Sequence, residues 1–313
     1  MSSNLPKTKT TEIDKETAPK PRAFSFARFF KRNGHEKQPV PETKPKGPPK
    51  SVWREYFESA VVTVVMALFG MTFIVQAVKV PTGSMQNTIL IGDYLLVNKF
   101  IFAPGGKPLP FFPQREIQRG DIIVFKFPGF PKELAKSKAE RDQAGAPYQT
   151  NFVKRVIGLP GDTVEFRNNE VYVNGQMLPE HRITADSPED RNGRDNDQAA
   201  LVVKAEEPRA PDEKYSVYYG EDSMEIAAKG KLPPSGTYGV EGKIIKIPDD
   251  SYFVMGDSRD HSLDSRYWGV VNRDLIIGRA MFVYWSCDRA ASDGSILGCI
   301  TSPRLNRIGK LIK

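Results

Sequence analysis

An uncharged apolar run near the N-terminus constrains the fold of this chain more than any other feature. From Ser59 to Val78 the sequence reads SAVVTVVMALFGMTFIVQAV, which is 20 residues without a charge. A helix rises about 1.5 Å per residue, so this length matches the roughly 30 Å hydrocarbon core of a bilayer. A cleaved signal peptide is shorter and lies nearer the N-terminus, and a buried core helix normally has a polar face. The run therefore predicts a transmembrane helix over residues 57–79.

The charges on the two sides of this run predict its orientation. Four basic side chains precede it closely, whereas one basic residue follows it closely. These are Lys44, Lys46, Lys50 and Arg54 before the run and Lys79 after it. Because flanking Lys and Arg favour the cytoplasmic side, residues 1–55 are expected in the cytoplasm and residues 80–313 outside it.

The basic character of the chain belongs to its N-terminal tail. The chain has 45 Lys and Arg against 38 Asp and Glu, but residues 1–50 hold 12 basic and 5 acidic side chains, leaving 33 of each sign. Eight prolines in the tail favour disorder. The neutral remainder has no basic stripe with interleaved aromatics, so nucleic-acid binding is not expected. The Phe24–Phe30 cluster, flanked by basic residues, fits either contact with anionic lipid or a solvated linker.

After the apolar run, short β-type segments alternate with turn residues. Asn174-Gly175 predicts a tight hairpin, and Leu159–Asp162 suits a type II turn. Strands do not alternate with long amphipathic helices, so we expect a mainly β, antiparallel domain with a variable β-rich insertion at roughly 180–245. The candidate strands are Tyr94–Val97, Asp121–Phe127, Phe152–Ile157, Thr163–Phe166, Glu170–Val173, Leu201–Val203, Ser216–Tyr219, Ser251–Met255 and Ile276–Trp285.

The chain has two cysteines, Cys287 and Cys299, both in this β region. Their spacing permits a disulfide in an oxidising compartment, and two free thiols fit the sequence equally. The cysteines and the three histidines form no cluster with metal-ligand spacing, so no metal site is predicted.

One segment contains a candidate nucleophile, and a second segment contains a candidate base. The first, VPTGSM at 80–85, places Ser84 within about 20 Å of the membrane surface even in an extended chain. Taken alone, such a segment is more typical of a plain helix-exit turn. In the second, NFVKRVIGLPGD at 151–162, strand alternation puts Lys154 and Arg155 on opposite faces, so one of them must lie among apolar neighbours or at an edge. A buried lysine loses charge and becomes a general base, whereas an edge lysine blocks aggregation.

A third segment, GDSRDHSLDSRYWG at 256–269, has three Asp and two Arg. It can form a loop of internal ion pairs that fixes neighbouring hydroxyls. Arg259 and His261 stand where a calcium loop needs oxygen ligands, which argues against calcium. A Ser-His-Asp triad with His181 or His261 remains open, although Ser84 has no G-x-S-x-G elbow.

Together, PTGSM after a membrane helix, GDIIVFKFP at 120–128 and the two motifs at 151–162 and 256–269 resemble the ordered motifs of bacterial type I signal peptidases. The terminal RLNRIG at 304–309 is similar to that family too. These are membrane-bound serine proteases that remove signal peptides. The resemblance covers about residues 57–310, apart from the insertions, and implies a Ser/Lys protease without metal or organic cofactor.

The resemblance also implies a role for individual residues. Ser84 is the nucleophile and Lys154 the general base. Ser262 positions the lysine, and Thr82 joins the Ser84 backbone N–H in an oxyanion hole. Three residues support the loop: Asp264 and Arg266 as an ion pair, and Asp257 as a brace. Shallow apolar pockets that accept small side chains at positions −1 and −3 are expected from Val80, Pro81, Met85, Phe152 and Val153.

The implied partners are preproteins bearing signal peptides, the lipid bilayer and the protein export machinery, at the bacterial plasma (inner) membrane. Thr82 stands where the family usually has Ser, His261 stands where Asn is common, and one span replaces the two of well-known members. Two other hypotheses fit parts of the sequence: a non-catalytic β-rich adaptor that binds exported proteins, and a Ser/Lys protease that cuts only itself. The membrane span argues against the second, because self-cleaving repressors are cytosolic.

Overall fold

The computed structural model describes residues 51–103, 108, 110–130, 147–188, 199–229, 238–240, 242–288 and 296–313, with the side chain of residue 296 left out. The tail up to residue 50, with the Phe24–Phe30 cluster, lies outside the described residues. The polar stretch within the predicted insertion also falls mostly outside them.

Helix α1, Val52–Phe73, contains the apolar run and buries none of its side chains. Its 22 residues span about 33 Å, which is enough to cross a hydrocarbon core. Its most apolar window has a mean hydropathy of 1.6. Within the described part of the chain, α1 is the one helix long and apolar enough to span a membrane.

The predicted helix boundaries, 57–79, are displaced from those of α1. The helix begins five residues earlier, and Val75–Lys79 forms strand β1 instead of the last helical turn. This strand pairs antiparallel with β2, Asp93–Asn98, from Val75 opposite Asn98 to Lys79 opposite Tyr94. The uncharged sequence fits both structures, and β-branched residues together with a strand partner favour the extended one. The chain therefore passes from α1 into the sheet almost directly.

The other strands follow in chain order, and the described residues after α1 also form three short helices and two 3-10 turns. For three strands, the predicted first and last residues are those of the structure: 170–173, 216–219 and 251–255. The strands are β3 Ile122–Lys126, β4 Asn151–Gly158, β5 Thr163–Arg167, β6 Glu170–Val173, β7 Gln176–Met177, β8 His181–Asp186, β9 Val202–Glu206, β10 Ser216–Tyr219, β11 Ile245–Lys246, β12 Ser251–Met255, β13 Val271–Asn272 and β14 Ile276–Ser286. The short helices are Glu221–Ala228, Ser265–Trp268 and Ile296–Thr301, with 3-10 turns at Arg273–Leu275 and Leu305–Arg307.

The main sheet has seven strands in the order β1-β2-β14-β3-β4-β12-β13, and all its pairs are antiparallel. Strand β3 is buried on both faces of this sheet. Ile122 and Val124 belong to one apolar cluster, whereas Ile123 and Phe125 belong to a second. Side chains alternate along a strand, so an uninterrupted apolar run supplies both clusters. The mainly β, antiparallel fold class is confirmed.

A second sheet has the order β11-β5-β6-β7. One predicted turn lies within it, and the other leads from β4 of the main sheet into β5. Asn174 and Gly175 have φ values of 53° and 77°, as a type I′ hairpin turn requires. In the other turn, the Asp162 N–H donates to the Leu159 carbonyl at 3.0 Å, and Gly161 has a φ of 81°. A positive φ at that position is the type II geometry.

The third sheet, β10-β8-β9, lies within the predicted insertion. It includes one parallel pair, β8 with β10, which departs from the antiparallel expectation. The long connection between these strands permits parallel pairing. The helix Glu221–Ala228 follows β10 and was not predicted.

The two cysteines form a disulfide, with 5.1 Å between their Cα atoms. The bond joins the residue after β14 to the helix Ile296–Thr301. The sequence left the choice between a disulfide and two thiols open.

Candidate active site

Ser84 lies in a turn fixed by the main sheet just after β1. The Val80 N–H donates to the Asp93 carbonyl at 3.0 Å, and Val80 and Met85 are buried in an apolar cluster with β2 and β3 side chains. Within the turn, the Gln86 N–H donates to the Gly83 carbonyl at 2.8 Å. The apolar side chains on either side therefore hold Ser84 in place, and only 6% of it is exposed.

Lys154 lies on β4 between two neighbouring strands, opposite Ile123 of β3. Its side chain is 3% exposed, and Nζ donates a hydrogen bond to Oγ of Ser84. Nζ also lies 5.4 Å from the centre of the Phe152 ring. The structure therefore brings together the candidate nucleophile and base, which are 70 positions apart in sequence.

Burial determines the protonation of Lys154. Removal from water disfavours the ammonium and is the main cause that lowers the pKa of Lys154 to about 8. The Asp264 and Asp257 carboxylates act in the opposite direction, while the Arg266 guanidinium lowers the pKa further. Within the described residues no carboxylate is hydrogen-bonded to Nζ. With a pKa of about 8, Lys154 is neutral in about a tenth of the molecules at pH 7 and in most of them above pH 8.

The loop after β12 approaches Ser84 at a glycine. A Cβ on Gly256 would lie 2.3 Å from the Ser84 carbonyl oxygen and 2.3 Å from Oγ of Ser262, so no other residue fits without displacing the backbone. The Ser258 N–H donates to the same Ser84 carbonyl at 3.2 Å. The glycine that opens the third sequence motif thus permits the close contact between this loop and the serine turn.

Internal ion pairs order this loop. Asp264 caps the helix Ser265–Trp268 and pairs with Arg266, whose Nε lies 2.9 Å from Oδ1. Both residues are buried. Burial is the largest single influence and raises the pKa of Asp264, but the Arg266 charge and the hydrogen bonds from Arg266, Ser262 and the Gly256 N–H together lower it. The Ser262 hydroxyl donates to Oδ2 of Asp264 at 2.7 Å. In the described residues Ser262 makes no hydrogen bond to Lys154, which differs from the contact that the resemblance implies.

Arg155 is buried as deeply as Lys154, although strand alternation required burial of only one of them. Its Nε and Nη2 donate to the two carboxylate oxygens of Asp257 at 2.8 and 2.7 Å. Thr88 donates to the same carboxylate at 2.6 Å. Burial is the largest single influence and lowers the pKa of Arg155, but the charge and hydrogen bonds of Asp257, together with Tyr215 and Glu180, outweigh it and raise the pKa. Asp257 therefore ties the loop to β4 and to the serine turn.

The oxyanion and pocket residues differ in exposure. The backbone N–H of Ser84 donates no hydrogen bond within the described residues, and Thr82 is exposed beside it. Pro81 is exposed and Phe152 half-buried. The other three expected pocket residues are almost fully buried in the core: Val80, Met85 and Val153.

The histidines do not join the site. His181 is buried in the third sheet, where its ring nitrogens contact Ser216 and the Glu207 carbonyl. His261 is exposed. Within the described residues neither histidine is hydrogen-bonded to Ser84, so the geometry favours the Ser/Lys pair over a triad. In the same part of the chain no three His, Cys, Asp or Glu side chains are arranged to hold a metal ion.

The sequence model of a family described as signal peptidase, peptidase S26, matches residues 53–285. The chain belongs to this signal peptidase family. A signal peptidase I from Leptolyngbya laminosa is 32% identical over 262 residues, covering 82% of this chain and 94% of that protein. One from Aquifex aeolicus is 30% identical and covers 79% and 94%.

A probable signal peptidase I-2 from Synechocystis is 30% identical over 79% of each chain. A crystal structure of a signal peptidase I from Enterococcus faecalis V583 is 26% identical, with a TM-score of 0.25 over 53% of this chain and 97% of that one. The sequence matches confirm the resemblance to bacterial type I signal peptidases and identify the chain as a peptidase. Helix α1 fits a membrane-anchored member of the signal peptidase family.

Proposed function

We propose that the chain is a membrane-bound serine endopeptidase that removes signal peptides from exported preproteins, with Ser84 as nucleophile and Lys154 as general base. The hydrogen bond between Lys154 Nζ and Ser84 Oγ, which joins two buried side chains, carries this proposal. A nucleophilic serine needs an adjacent base, and a lysine serves only when it is neutral. The lowered pKa of Lys154 meets that condition.

In the acylation step, neutral Lys154 takes the hydroxyl proton of Ser84, and Oγ attacks the scissile carbonyl carbon. The resulting oxyanion accepts hydrogen bonds from the Ser84 N–H and the Thr82 hydroxyl. When the tetrahedral intermediate collapses, the C–N bond breaks and the Lys154 ammonium protonates the leaving amine. That amine is the new N-terminus of the mature protein, and the signal peptide stays esterified to Ser84.

In the deacylation step, Lys154, neutral again, takes a proton from water, and the hydroxide oxygen attacks the ester carbon. Collapse of the second intermediate returns the proton to Oγ of Ser84 and releases the signal peptide with a free carboxylate. Ser262 acts as a positioning residue. Because its hydroxyl hydrogen points to Asp264, the oxygen lone pairs remain available to the protonated amine of Lys154.

The substrate is proposed to bind as an added strand with small side chains at −1 and −3. The side chains of the expected pocket residues Val80, Met85 and Val153 are almost fully buried in the core. They therefore leave little space for a substrate side chain, which supports shallow pockets that accept small substrate residues. Pro81 and Phe152 have the more accessible surfaces.

The chain is proposed to cross the bacterial plasma membrane once, with residues 1–55 in the cytoplasm and residues 80–313 outside, where the export machinery delivers preproteins. The basic residues before α1 support this orientation. So does the disulfide between Cys287 and Cys299, because disulfides persist in oxidising compartments.

A cleavage assay with the full chain in detergent tests the proposed function. The substrate is a preprotein with Ala at −1 and −3, and the variant is Ser84→Ala. We expect cleavage to be lost, while the control Ser223→Ala, in the insertion helix, cleaves normally. Retained cleavage by Ser84→Ala would overturn the assignment. Binding without turnover by the unaltered chain would favour the adaptor hypothesis.

A further inference from the structure

A buried carboxylate in the insertion connects to the loop beside Ser84. Glu180 lies just before β8 and is 7% exposed. Its Oε2 accepts from Nη1 of Arg259 at 2.7 Å, and its Oε1 accepts from Nη2 of the same arginine. Oε1 also accepts from the Tyr215 hydroxyl at 2.9 Å. Arg259 belongs to the third sequence motif, but the functional site described above gives it no role.

One connection runs from Glu180 through Arg259 to the serine turn. Nε of Arg259 donates to the Gly256 carbonyl at 3.2 Å, and the Arg259 carbonyl accepts from Nη2 of Arg266 at 2.6 Å. Between these residues, the Ser258 N–H donates to the Ser84 carbonyl at 3.2 Å. Arg259 therefore spans the short turn that contacts the backbone of Ser84.

A second connection runs through Tyr215 to the strand of the general base. The Arg155 guanidinium lies 4.1 Å from the centre of the Tyr215 ring. Arg155 is the direct neighbour of Lys154 and pairs with Asp257 of the same turn. The Tyr215 hydroxyl and ring thus join Glu180 to the other side of the site.

Backbone pairing adds to these side-chain contacts. The Tyr218 N–H of β10 donates to the Asp257 carbonyl at 2.8 Å, and the Arg259 N–H donates to the Tyr218 carbonyl at 2.9 Å. Strand β10 of the insertion therefore pairs with the 256–259 turn as a short strand partner. Fold stability alone is a weak reason for a buried ion pair, because apolar side chains of similar size often stabilise a protein as well.

We propose that Glu180 is a positioning residue, which holds the 256–259 turn through Arg259 and the β4 strand through Tyr215 and so makes turnover at Ser84 depend on the insertion. This inference rests on the proposed function. Glu180 itself touches neither Ser84 nor Lys154 in the structure. Its effect is geometric, and small displacements of reacting groups are costly to rate.

The test compares Glu180→Gln with the unaltered full chain in detergent, with kcat expressed per folded enzyme. We expect kcat to fall about 10- to 100-fold, the range for misplacement of roughly 1 Å, with KM unchanged. The pH at which activity is half-maximal should not move, because Glu180 is not among the charges that shift the pKa of Lys154. The matched control is Glu170→Gln, which removes a half-exposed pair with Arg182 and should keep kcat.

A structural role alone would reduce the folded fraction and leave kcat per folded enzyme unchanged, and this result overturns the proposal. If Glu180→Gln fails to fold, Glu180→Asp replaces it: a reduced kcat supports the proposal and an unchanged one overturns it. In an Arg259→Met background, Glu180→Gln should lower kcat by a smaller factor than in the unaltered chain, because only the Tyr215 connection remains, whereas full additivity would contradict action through Arg259. Ser84→Ala in the same series separates the two claims, since its retained activity would refute the proposed function itself.

Discussion

Lys154 and Arg155 are neighbours on β4 and both are buried, but their surroundings differ in one respect. Arg155 has a carboxylate, that of Asp257, within hydrogen-bonding distance on two atoms. Lys154 has the neutral hydroxyl of Ser84. The paired cation keeps its charge and stabilises the loop, whereas the lysine has a lowered pKa. Burial therefore favours a neutral base only at Lys154, for two reasons: lysine has a lower intrinsic pKa than arginine, and no carboxylate of the described residues is hydrogen-bonded to it.

The largest expected effect is on catalysis, when Lys154 is replaced by an arginine like its neighbour Arg155. Lys154→Arg keeps a cation beside Ser84 but removes the base, because a guanidinium stays protonated. We expect kcat/KM to fall by about 10⁴-fold or more, as when a member of a serine-protease triad is removed. The measurement is cleavage of the preprotein at pH 8. The control, Lys126→Arg on the exposed end of β3, should be as active as the unaltered chain, and a Lys154→Arg enzyme of similar activity would contradict the account.

Breaking the paired site should affect folding. Arg155→Met leaves Asp257 buried without its charge partner, and loss of one partner of a buried pair costs about 3–5 kcal/mol. We expect a correspondingly lower free energy of unfolding in urea, measured in detergent at pH 7. Arg167→Met removes an exposed pair with Glu165 and should change it far less. Equal effects of the two substitutions would show that burial of the Arg155 pair has no special importance.

Replacement of Lys154 should have a smaller effect on the free energy of unfolding than replacement of Arg155, and it should stabilise the fold. In the unfolded chain the lysine has a pKa near 10.5, and in the folded chain about 8. Between these values the unfolded chain binds the proton that the folded chain releases, so stability rises with pH across this window. Below about pH 8 the folded state bears the full cost, about 3 kcal/mol at 1.36 kcal/mol per unit.

Lys154→Met removes this cost. The variant should therefore be more stable than the unaltered chain by up to about 3 kcal/mol at pH 6.5, with the advantage shrinking above pH 8. Urea unfolding at pH 6.5 and pH 9.5 checks this. An advantage that does not depend on pH would point to better packing and not to a protonated buried lysine.

Local patterns predicted much of this molecule. The strand at 251–255 follows from its apolar run. The hairpin turn follows from Asn174-Gly175, because these residue types tolerate the positive φ values that the structure shows. The predicted end of α1 was wrong because the uncharged residues 74–78 suit a helix and a strand equally. Only pairing with β2 decides between the two.

The site was predictable to the extent that its motifs are local. Family resemblance identified Ser84 and Lys154 as the candidate nucleophile and base. Strand alternation predicted that one of Lys154 and Arg155 is buried, whereas the structure buries both. Asp257, the partner of Arg155, is 102 positions away, and Glu180 is 79 positions from Arg259. No local pattern brings such residues together. The exposed glutamates and the buried Glu180 look alike in sequence, so its role appears only in the folded chain.

The central claim, that a neutral Lys154 activates Ser84, is tested most directly by the pH dependence of kcat/KM for the full chain in detergent. The account predicts that activity rises with pH through an apparent pKa near 8, as the Lys154 ammonium loses its proton. His181→Gln and His261→Gln should leave this pKa unchanged. A rise centred near pH 6.5 that either histidine substitution abolishes would contradict it.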